Sequence, residues 1–133
     1  MSDKAPLVSI GIPTHNRERL VSRAIESALH QDYPHIEIVI SDNASTDSTP
    51  EICRRYSQER PNVRYIQQTQ NVGATKNFDA VLQRSSGEFF MWLGDDDWLD
   101  VESWLGLSEQ AFRLDRWSIC RAQAAAICGS RVK

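Results

Sequence analysis

Short apolar runs alternate along this chain with longer stretches whose apolar residues recur at helical spacing. Four of the runs have the length and composition of buried strands, namely Leu7–Ile12, Ile36–Ile40, Val63–Ile66 and Glu88–Leu93. Near-continuous apolar runs of this kind are typical of strands that are covered on both faces. Because Pro13 follows the first run directly, we expect the first strand to close there.

Helices are predicted between these runs. From Leu20 to Leu29 the apolar residues fall at i, i+1, i+4, i+5, i+8 and i+9, which indicates one helical face, with Asn16 as the N-cap. A second helix is expected to begin after Thr49 as N-cap, with Pro50 at its first position. The turn Asn71–Gly73 is expected to lead into a third helix.

The resulting order is strand and helix in alternation, followed by an acidic loop. This order predicts an α/β fold with a mainly parallel sheet and helices on both of its faces. One more helix is expected from apolar residues at Val101, Trp104, Leu105 and Phe112. We expect one domain over residues 1–114, followed by an atypical tail over residues 115–133 that is either helical or disordered.

Composition narrows the class of protein. A formal net charge of −3 provides no basic surface for nucleic acid, and no apolar run reaches the roughly 20 residues that span a bilayer. Three cysteines without CxxC spacing argue against a disulfide framework or a zinc site and favour a reducing compartment. The polar beginning of the chain has no signal-peptide pattern, so a cytoplasmic protein is expected.

Three polar clusters each follow a predicted strand. They are Pro13–Asn16, Asp42–Asp47 and Gly94–Asp97. In an open parallel sheet the carboxyl ends of the strands share one edge, so the clusters are expected to meet there and form a ligand site. Consecutive carboxylates repel one another, and a divalent cation such as Mg²⁺ or Mn²⁺ is the usual compensation. A solvated acidic loop is the alternative for the acidic triplet taken alone.

Four ordered segments resemble glycosyltransferase family 2. They cover residues 8–17, 40–47, 71–77 and 87–97, and the match runs from about residue 7 to residue 99. The resemblance implies the Rossmann-like GT-A fold, a nucleotide-sugar donor, and a glycan or lipid-linked acceptor. It covers the donor-binding part of such an enzyme, so we expect the fold to be truncated.

The resemblance also implies roles for the polar residues after the first two strands. It places around the nucleotide base and ribose the side chains of Pro13, Thr14, His15 and Asn16. It assigns Asp42 to a hydrogen bond from the base. The alternatives are a solvated turn histidine at His15 and an Asx-turn or helix-capping role at Asp42.

Further roles follow for the basic and acidic residues. Lys76 matches a basic position near the donor pyrophosphate, with an ordinary helix-surface lysine as the alternative. Asp96 matches the acid that coordinates the metal, Asp97 is expected to assist it, and Asp95 to bind the sugar or ribose. Gly94 departs from the family pattern, which usually has an aspartate there.

The favoured function is an inverting glycosyltransferase that uses a UDP-sugar and a divalent metal in cell-surface polysaccharide or glycan synthesis. The alternative is a donor-binding fragment without transferase activity, because no general base is recognisable after Leu99. A nucleotidyltransferase would need a basic, glycine-rich loop after the first strand, and this chain lacks one. Trp98 is expected to line a sugar pocket and Trp92 to pack in the core, while partners would provide any attachment to the inner membrane face.

Overall fold

Four parallel strands form a single sheet in the computed structural model, which describes residues 6–99. In chain order the elements are β1 (Val8–Thr14), α1 (Val21–Leu29), β2 (Ile36–Asp42), α2 (Thr49–Glu59), β3 (Val63–Gln67), α3 (Ala74–Arg84) and β4 (Phe89–Trp92). The predicted α/β class and the mainly parallel sheet are confirmed. The predicted helix over residues 101–112 and the tail over residues 115–133 lie outside the described residues, and the boundary at 114 stays a prediction.

The strand order across the sheet is β3-β2-β1-β4. The chain winds outward from β1 to β3 and then returns to the other side of β1, where Gly11 pairs with Trp92 of β4. Strand order therefore reverses between β1 and β4. In open parallel sheets, ligands bind in the crevice beyond the carboxyl ends of the strands at such a reversal.

Two apolar layers cover the sheet. On one face, α1 and α2 pack on alternate strand residues that are almost inaccessible to solvent, among them Ile10, Ile12, Ile38, Ile40 and Met91. On the other face, α3 contributes Val81, which packs against Val39 and Phe90. Side chains alternate between the two faces of a strand, so this pattern accounts for apolar residues at successive strand positions.

Strand β1 continues through Pro13, so the predicted end of the strand at this proline is wrong. Pro13 pairs with Ser41, and the strand runs on to Thr14. Backbone groups point to alternate sides of a strand, and the carbonyl of Gly11 accepts a hydrogen bond from Leu93 on the β4 side. The nitrogen of Pro13 therefore faces the same side, beyond the end of β4, where no ladder hydrogen bond is lost.

Two predicted helix caps are also corrected. Helix α1 has Leu20 rather than Asn16 at its N-cap, because Asn16 adopts a positive φ of 51° within the preceding turn. Helix α2 has Ser48 as N-cap, and Thr49 is its first residue. In both cases the loop before the helix makes tertiary hydrogen bonds that the local sequence pattern does not reveal.

At the amino ends of the strands, a buried carboxylate links β1 and β2 to the turn before β4. Glu37 of β2 accepts hydrogen bonds from the Ser9 hydroxyl at 2.6 Å and from the Ser86 backbone N–H at 2.6 Å. The Ser9 oxygen accepts in turn from the N–H of Gly87 at 2.8 Å. A Cβ at Gly87 would lie 2.5 Å from that oxygen, so only glycine allows the turn before β4 to approach β1 this closely.

No helix in residues 6–99 combines the length and apolar character that a bilayer crossing requires.

Candidate functional site

A cavity of about 750 Å³ opens at the carboxyl ends of β1 and β4. It lies where the strand order reverses, which is the position expected for a ligand in this kind of sheet. The residues that line it are Pro13, Thr14, His15, Asn16, Arg17, Asn43, Asn71, Ala74, Asn77, Phe78, Trp92, Gly94, Asp95, Asp96 and Asp97. Seven of the nine residues that the sequence assigned to the site thus meet in one cavity.

Hydrogen bonds between the loops after β1 and β2 form one wall of the cavity. The N–H of Asn16 donates to the Ser45 hydroxyl at 2.8 Å, and its side-chain oxygen accepts from the N–H of Thr46 at 2.8 Å. The N–H of Arg17 donates to the Thr49 hydroxyl at 2.9 Å. The positive φ at Asn16 turns the chain so that these bonds form, and the β1 loop is held rigidly beside the β2 loop.

His15 is held by hydrogen bonds at both ring nitrogens. Its Nδ1 lies 2.9 Å from the Asn43 carbonyl oxygen, which accepts hydrogen bonds only, so Nδ1 carries a proton. Its Nε2 lies 3.3 Å from the Asn16 side-chain nitrogen and serves as the acceptor when the ring is neutral. The imidazole is fixed as a flat surface on the cavity wall.

Asparagine side chains join α3 to the strand ends. Asn43 donates to the Asn71 oxygen at 2.9 Å and accepts from the N–H of Val72 at 2.8 Å, which fixes the loop before α3. Asn77, only 3% exposed, accepts from the Ser41 hydroxyl at 2.7 Å and donates to the Ser41 carbonyl at 3.0 Å. The floor of the cavity is therefore tied to β2 by a buried network in which each asparagine both donates and accepts.

Asp95 is the residue of the acidic loop that lies mostly buried against the loop after β1. Its carboxylate accepts from the backbone N–H of His15 at 3.2 Å and from Arg17 Nε at 3.3 Å. Burial raises the pKa of Asp95, and the Thr14 hydroxyl, the His15 N–H and the Arg17 guanidinium oppose that rise. The Thr14 hydroxyl lies close enough to Asp95 to lower its pKa, although it does not meet the geometry of a hydrogen bond with any residue in 6–99.

Asp96 and Asp97 point back toward Gly94. Oxygens of these two carboxylates lie 3.2 Å and 2.8 Å from the position that a Cβ of Gly94 would take. Glycine at position 94 therefore leaves the space into which both carboxylates turn. Residues 6–99 contain no group of three or more His, Cys, Asp or Glu side chains arranged to hold a metal. Two carboxylates still fit Mg²⁺ or Mn²⁺, since Mg²⁺ is usually bound through one or two carboxylates with water and phosphate oxygens.

The two remaining predicted site residues do not line the cavity. Asp42 is fully buried beneath it, where its oxygens accept from the Ser45 N–H at 3.0 Å and from the Tyr65 hydroxyl at 2.7 Å. The Ser45 contact is the local turn that the sequence analysis kept as an alternative for Asp42. Lys76 is exposed on the surface of α3 and does not line the cavity.

An aromatic pair forms a further part of the wall. Phe78 and Trp92 line the cavity with ring centroids 5.9 Å apart, and Trp92 Nε1 donates to the Phe78 carbonyl at 3.1 Å. Trp92 packs against the core residue Phe90, as expected, and it also lines the cavity, whereas the expectation that Trp98 lines a pocket is not met by this cavity. Trp98 lies outside the cavity, beneath the guanidinium of Arg23 at 3.9 Å, because the acidic loop turns back after β4.

Among the cavity residues that received no site role from the sequence are Arg17, Asn43 and Asn77. Each was present in a segment that resembles the family, so its position was signalled but its side-chain direction was not. Direction depends on contacts made across the sheet, such as the bond between Arg17 and an aspartate 78 residues later.

The family model described as Glycosyl transferase family 2 matches residues 9–120 of this chain. The match covers β1 from its second residue, all of β4 and all of the residues that line the cavity. The chain belongs to glycosyltransferase family 2. The sheet topology and the site at the reversal of strand order agree with this membership, and the resemblance inferred from the motifs is confirmed.

Two curated relatives illustrate the family. A GalNAc(5)-diNAcBac-PP-undecaprenol beta-1,3-glucosyltransferase of Campylobacter jejuni is 35% identical over 93 residues, which cover 69% of this chain and 30% of the relative. Chondroitin synthase of Escherichia coli is 35% identical over 118 residues, which cover 88% of this chain and 17% of that enzyme. The chain thus spans less than a third of the length of either relative.

Two solved structures are similar as well. TarS of S. aureus in complex with UDP has a TM-score of 0.70 and 28% identity, covering 83% of this chain and 32% of the TarS chain. The mannosyltransferase PcManGT of Pyrobaculum calidifontis, in complex with GDP-Man and Mn²⁺, has a TM-score of 0.68 and 27% identity, covering 75% and 30% of the two chains. The predicted GT-A-type fold is confirmed by this likeness.

Proposed function

We propose that this chain binds a nucleotide-sugar donor, most simply a UDP-sugar, in the cavity between β1 and β4. The observation that carries the proposal is the convergence of the β1 loop and the acidic loop around one cavity at the reversal of strand order. The similar TarS protein in complex with UDP supports the choice of nucleotide. A cavity of about 750 Å³ has the size of a small-molecule site.

Base and ribose are assigned to the β1 side of the cavity. Pro13, Thr14, His15 and Asn16 line that side, and the fixed imidazole of His15 offers a flat surface for a base. The assignment of Asp42 to the base stays a prediction, and contact would require the donor to replace a bond from Ser45 or Tyr65.

A divalent cation is assigned to Asp96 and Asp97. Both carboxylates turn toward Gly94 and offer hard oxygen ligands, and the similar PcManGT is described in complex with Mn²⁺. When bound, Mg²⁺ or Mn²⁺ would offset negative charge on the departing nucleoside diphosphate. Asp95 then lies beside the ribose or sugar, held in place by His15 and Arg17.

Sugar transfer is proposed for the whole protein and donor binding for the chain itself. The Campylobacter relative is named for an undecaprenol-linked glycan and the Escherichia coli relative for a polysaccharide, which supports a glycan or lipid-linked acceptor and a role in polysaccharide synthesis. This chain covers 30% and 17% of those relatives. Donor binding without transfer is therefore the second candidate for the 133-residue chain, whose cytoplasmic location stays a prediction.

Calorimetric titration tests donor and metal binding together. UDP and UDP-sugars are titrated into the 133-residue chain with and without Mn²⁺, and Asp96→Asn is compared with the parent. We expect Asp96→Asn to lose the Mn²⁺-dependent part of UDP affinity, because an amide replaces a carboxylate ligand. Asp32→Asn is the matched control, since Asp32 is exposed and precedes β2 at the opposite edge of the sheet.

Two outcomes would contradict the proposal. If neither UDP nor GDP binds to a folded parent chain, the cavity does not hold a nucleotide donor. If Mn²⁺ strengthens UDP binding equally in Asp96→Asn and in the parent, Asp96 does not ligate the metal. Release of UDP that depends on an added glycan acceptor would instead show transfer by the chain itself.

A further inference from the structure

We propose that Arg17 supplies the protein cation that contacts the donor phosphates, and that Asp95 positions it. The proposal rests on the proposed function and extends it to a residue that neither the motifs nor the comparisons assign. The sequence had given this role to Lys76, which lies exposed on α3 and does not line the cavity.

The charge distribution in the cavity points to Arg17. In the described part of the chain, the lining residues include three carboxylates, at Asp95, Asp96 and Asp97, and, besides the His15 imidazole, a single arginine or lysine, at Arg17. A nucleoside diphosphate brings further negative charge and is repelled by exposed carboxylates unless cations intervene. A metal on Asp96 and Asp97 offsets part of this charge, and Arg17 is the cavity residue that offsets more.

Two contacts hold Arg17 in place. Its backbone N–H donates to the Thr49 hydroxyl at 2.9 Å, and its Nε donates to the Asp95 carboxylate at 3.3 Å. The Arg17 side chain remains 46% exposed, and within residues 6–99 its two Nη groups form no hydrogen bond. A guanidinium held through Nε still presents its outer fork, which matches the geometry of phosphate oxygens.

The Thr14 hydroxyl supports Asp95 in the same part of the cavity. Thr14 is 2% exposed, and its hydroxyl lies close enough to the Asp95 carboxylate to interact with it. Its oxygen is closed off from solvent, so it acts on Asp95 rather than on a ligand. Thr14 thus helps to hold the carboxylate that in turn holds Arg17.

The test separates phosphate recognition from a structural role by comparing UDP with uridine. Both are titrated into the parent chain, Arg17→Gln and Lys76→Gln in the presence of Mn²⁺. We expect Arg17→Gln to weaken UDP binding about ten-fold or more, the loss of one charge-assisted contact. Uridine binding should change by less than about two-fold, because uridine carries no phosphate, and Lys76→Gln should leave both affinities near those of the parent.

Asp95→Asn and Arg17→Lys add two further readouts. Asp95→Asn keeps a side chain that can accept a hydrogen bond from Arg17 but removes the negative charge of Asp95. The affinity for UDP relative to that for uridine should therefore fall by less than in Arg17→Gln. Arg17→Lys keeps the charge without the fork and should restore part of the UDP affinity. Thermal unfolding of each variant checks that it is folded, and Arg17→Lys serves in place of Arg17→Gln if the latter is not.

Three results would overturn the inference. Parallel loss of UDP and uridine affinity in Arg17→Gln would give Arg17 a structural role in joining the two loops. Unchanged UDP affinity in Arg17→Gln, or a larger loss in Lys76→Gln, would show that Arg17 does not contact the phosphates. The proposed function would survive this result, because the parent would still bind the nucleotide. A folded parent that binds no nucleoside diphosphate would overturn the proposed function itself, and this inference with it.

Discussion

Replacing Glu37 by glutamine should destabilise the domain, because it removes the charge from a buried carboxylate surrounded by donors. The carboxylate accepts from the Ser9 hydroxyl, the Ser86 N–H, the Ser86 hydroxyl and Arg64 Nη1. Hydroxyl groups can rotate to accept a hydrogen bond, whereas the Ser86 N–H and the Arg64 guanidinium can only donate. Each carboxylate oxygen faces one of these two fixed donors, so the amide of glutamine must face one of them.

The expected loss is about 2–4 kcal/mol of unfolding free energy at pH 7. Hydrogen bonds to a charged group contribute about 1.5–3 kcal/mol each, and at least one is lost while the others become bonds to a neutral group. The Glu37 side chain is 11% exposed, so water compensates only partly for the lost bond. Partial rotation of the Ser9 and Ser86 hydroxyls keeps the loss below the sum of all four bonds.

The pH dependence of this stability difference provides an independent test. Burial raises the pKa of Glu37, but the hydrogen bonds from Ser86 and Ser9 and the charge of Arg64 outweigh burial and hold its pKa below the ordinary value of 4.5. A carboxyl whose pKa is lowered on folding stabilises the protein above its unfolded pKa and loses that contribution as the pH falls through its folded pKa. The difference between parent and Glu37→Gln should therefore be full at pH 7 and shrink below about pH 4.5.

Urea unfolding, followed by circular dichroism at several pH values, measures this difference. Glu88→Gln is the matched control, because Glu88 is exposed at the same edge of the sheet, and it should change stability by less than about 0.5 kcal/mol. A loss at pH 7 no larger than that of Glu88→Gln would refute the argument. So would a difference that stays constant from pH 7 to pH 3, because the charge of Glu37 would then have no part in it.

Two further predictions concern packing around the cavity. Asn77→Ala should cost about 1–3 kcal/mol in urea unfolding, because the buried Ser41 hydroxyl loses the acceptor of its hydrogen bond and keeps only the bond it accepts from Gln68, and a loss below 1 kcal/mol would contradict this. Gly11→Ala should cost about 1–3 kcal/mol, since its Cβ would lie 2.7 Å from the buried Phe90 ring. Gly94→Ala meets only the movable carboxylates of Asp97 at 2.8 Å and Asp96 at 3.2 Å, so it should cost less than Gly11→Ala and mainly alter Mn²⁺ affinity. Equal unfolding losses for the two glycines would refute the comparison.

Much of the fold follows from local pattern. Buried strands leave apolar runs and amphipathic helices leave a 3.6-residue period, so the alternation of strands and helices up to β4 was predictable from the sequence. Strand and helix ends were less predictable. Pro13 stays in β1 only because β4 stops before reaching its nitrogen, and Asn16 leaves the cap of α1 because the β2 loop binds it.

The sequence by itself determined that three polar clusters share one edge of the sheet, since parallel strands joined by helices place all their carboxyl ends together. Only the tertiary structure decided which side chains enter the cavity. Arg17 and His15 meet Asp95 across 78 and 80 residues of chain, while Lys76, within a matching motif, faces solvent. A motif places a backbone segment, but the direction of each side chain depends on the rotation of its helix or loop against distant neighbours, which local periodicity does not encode.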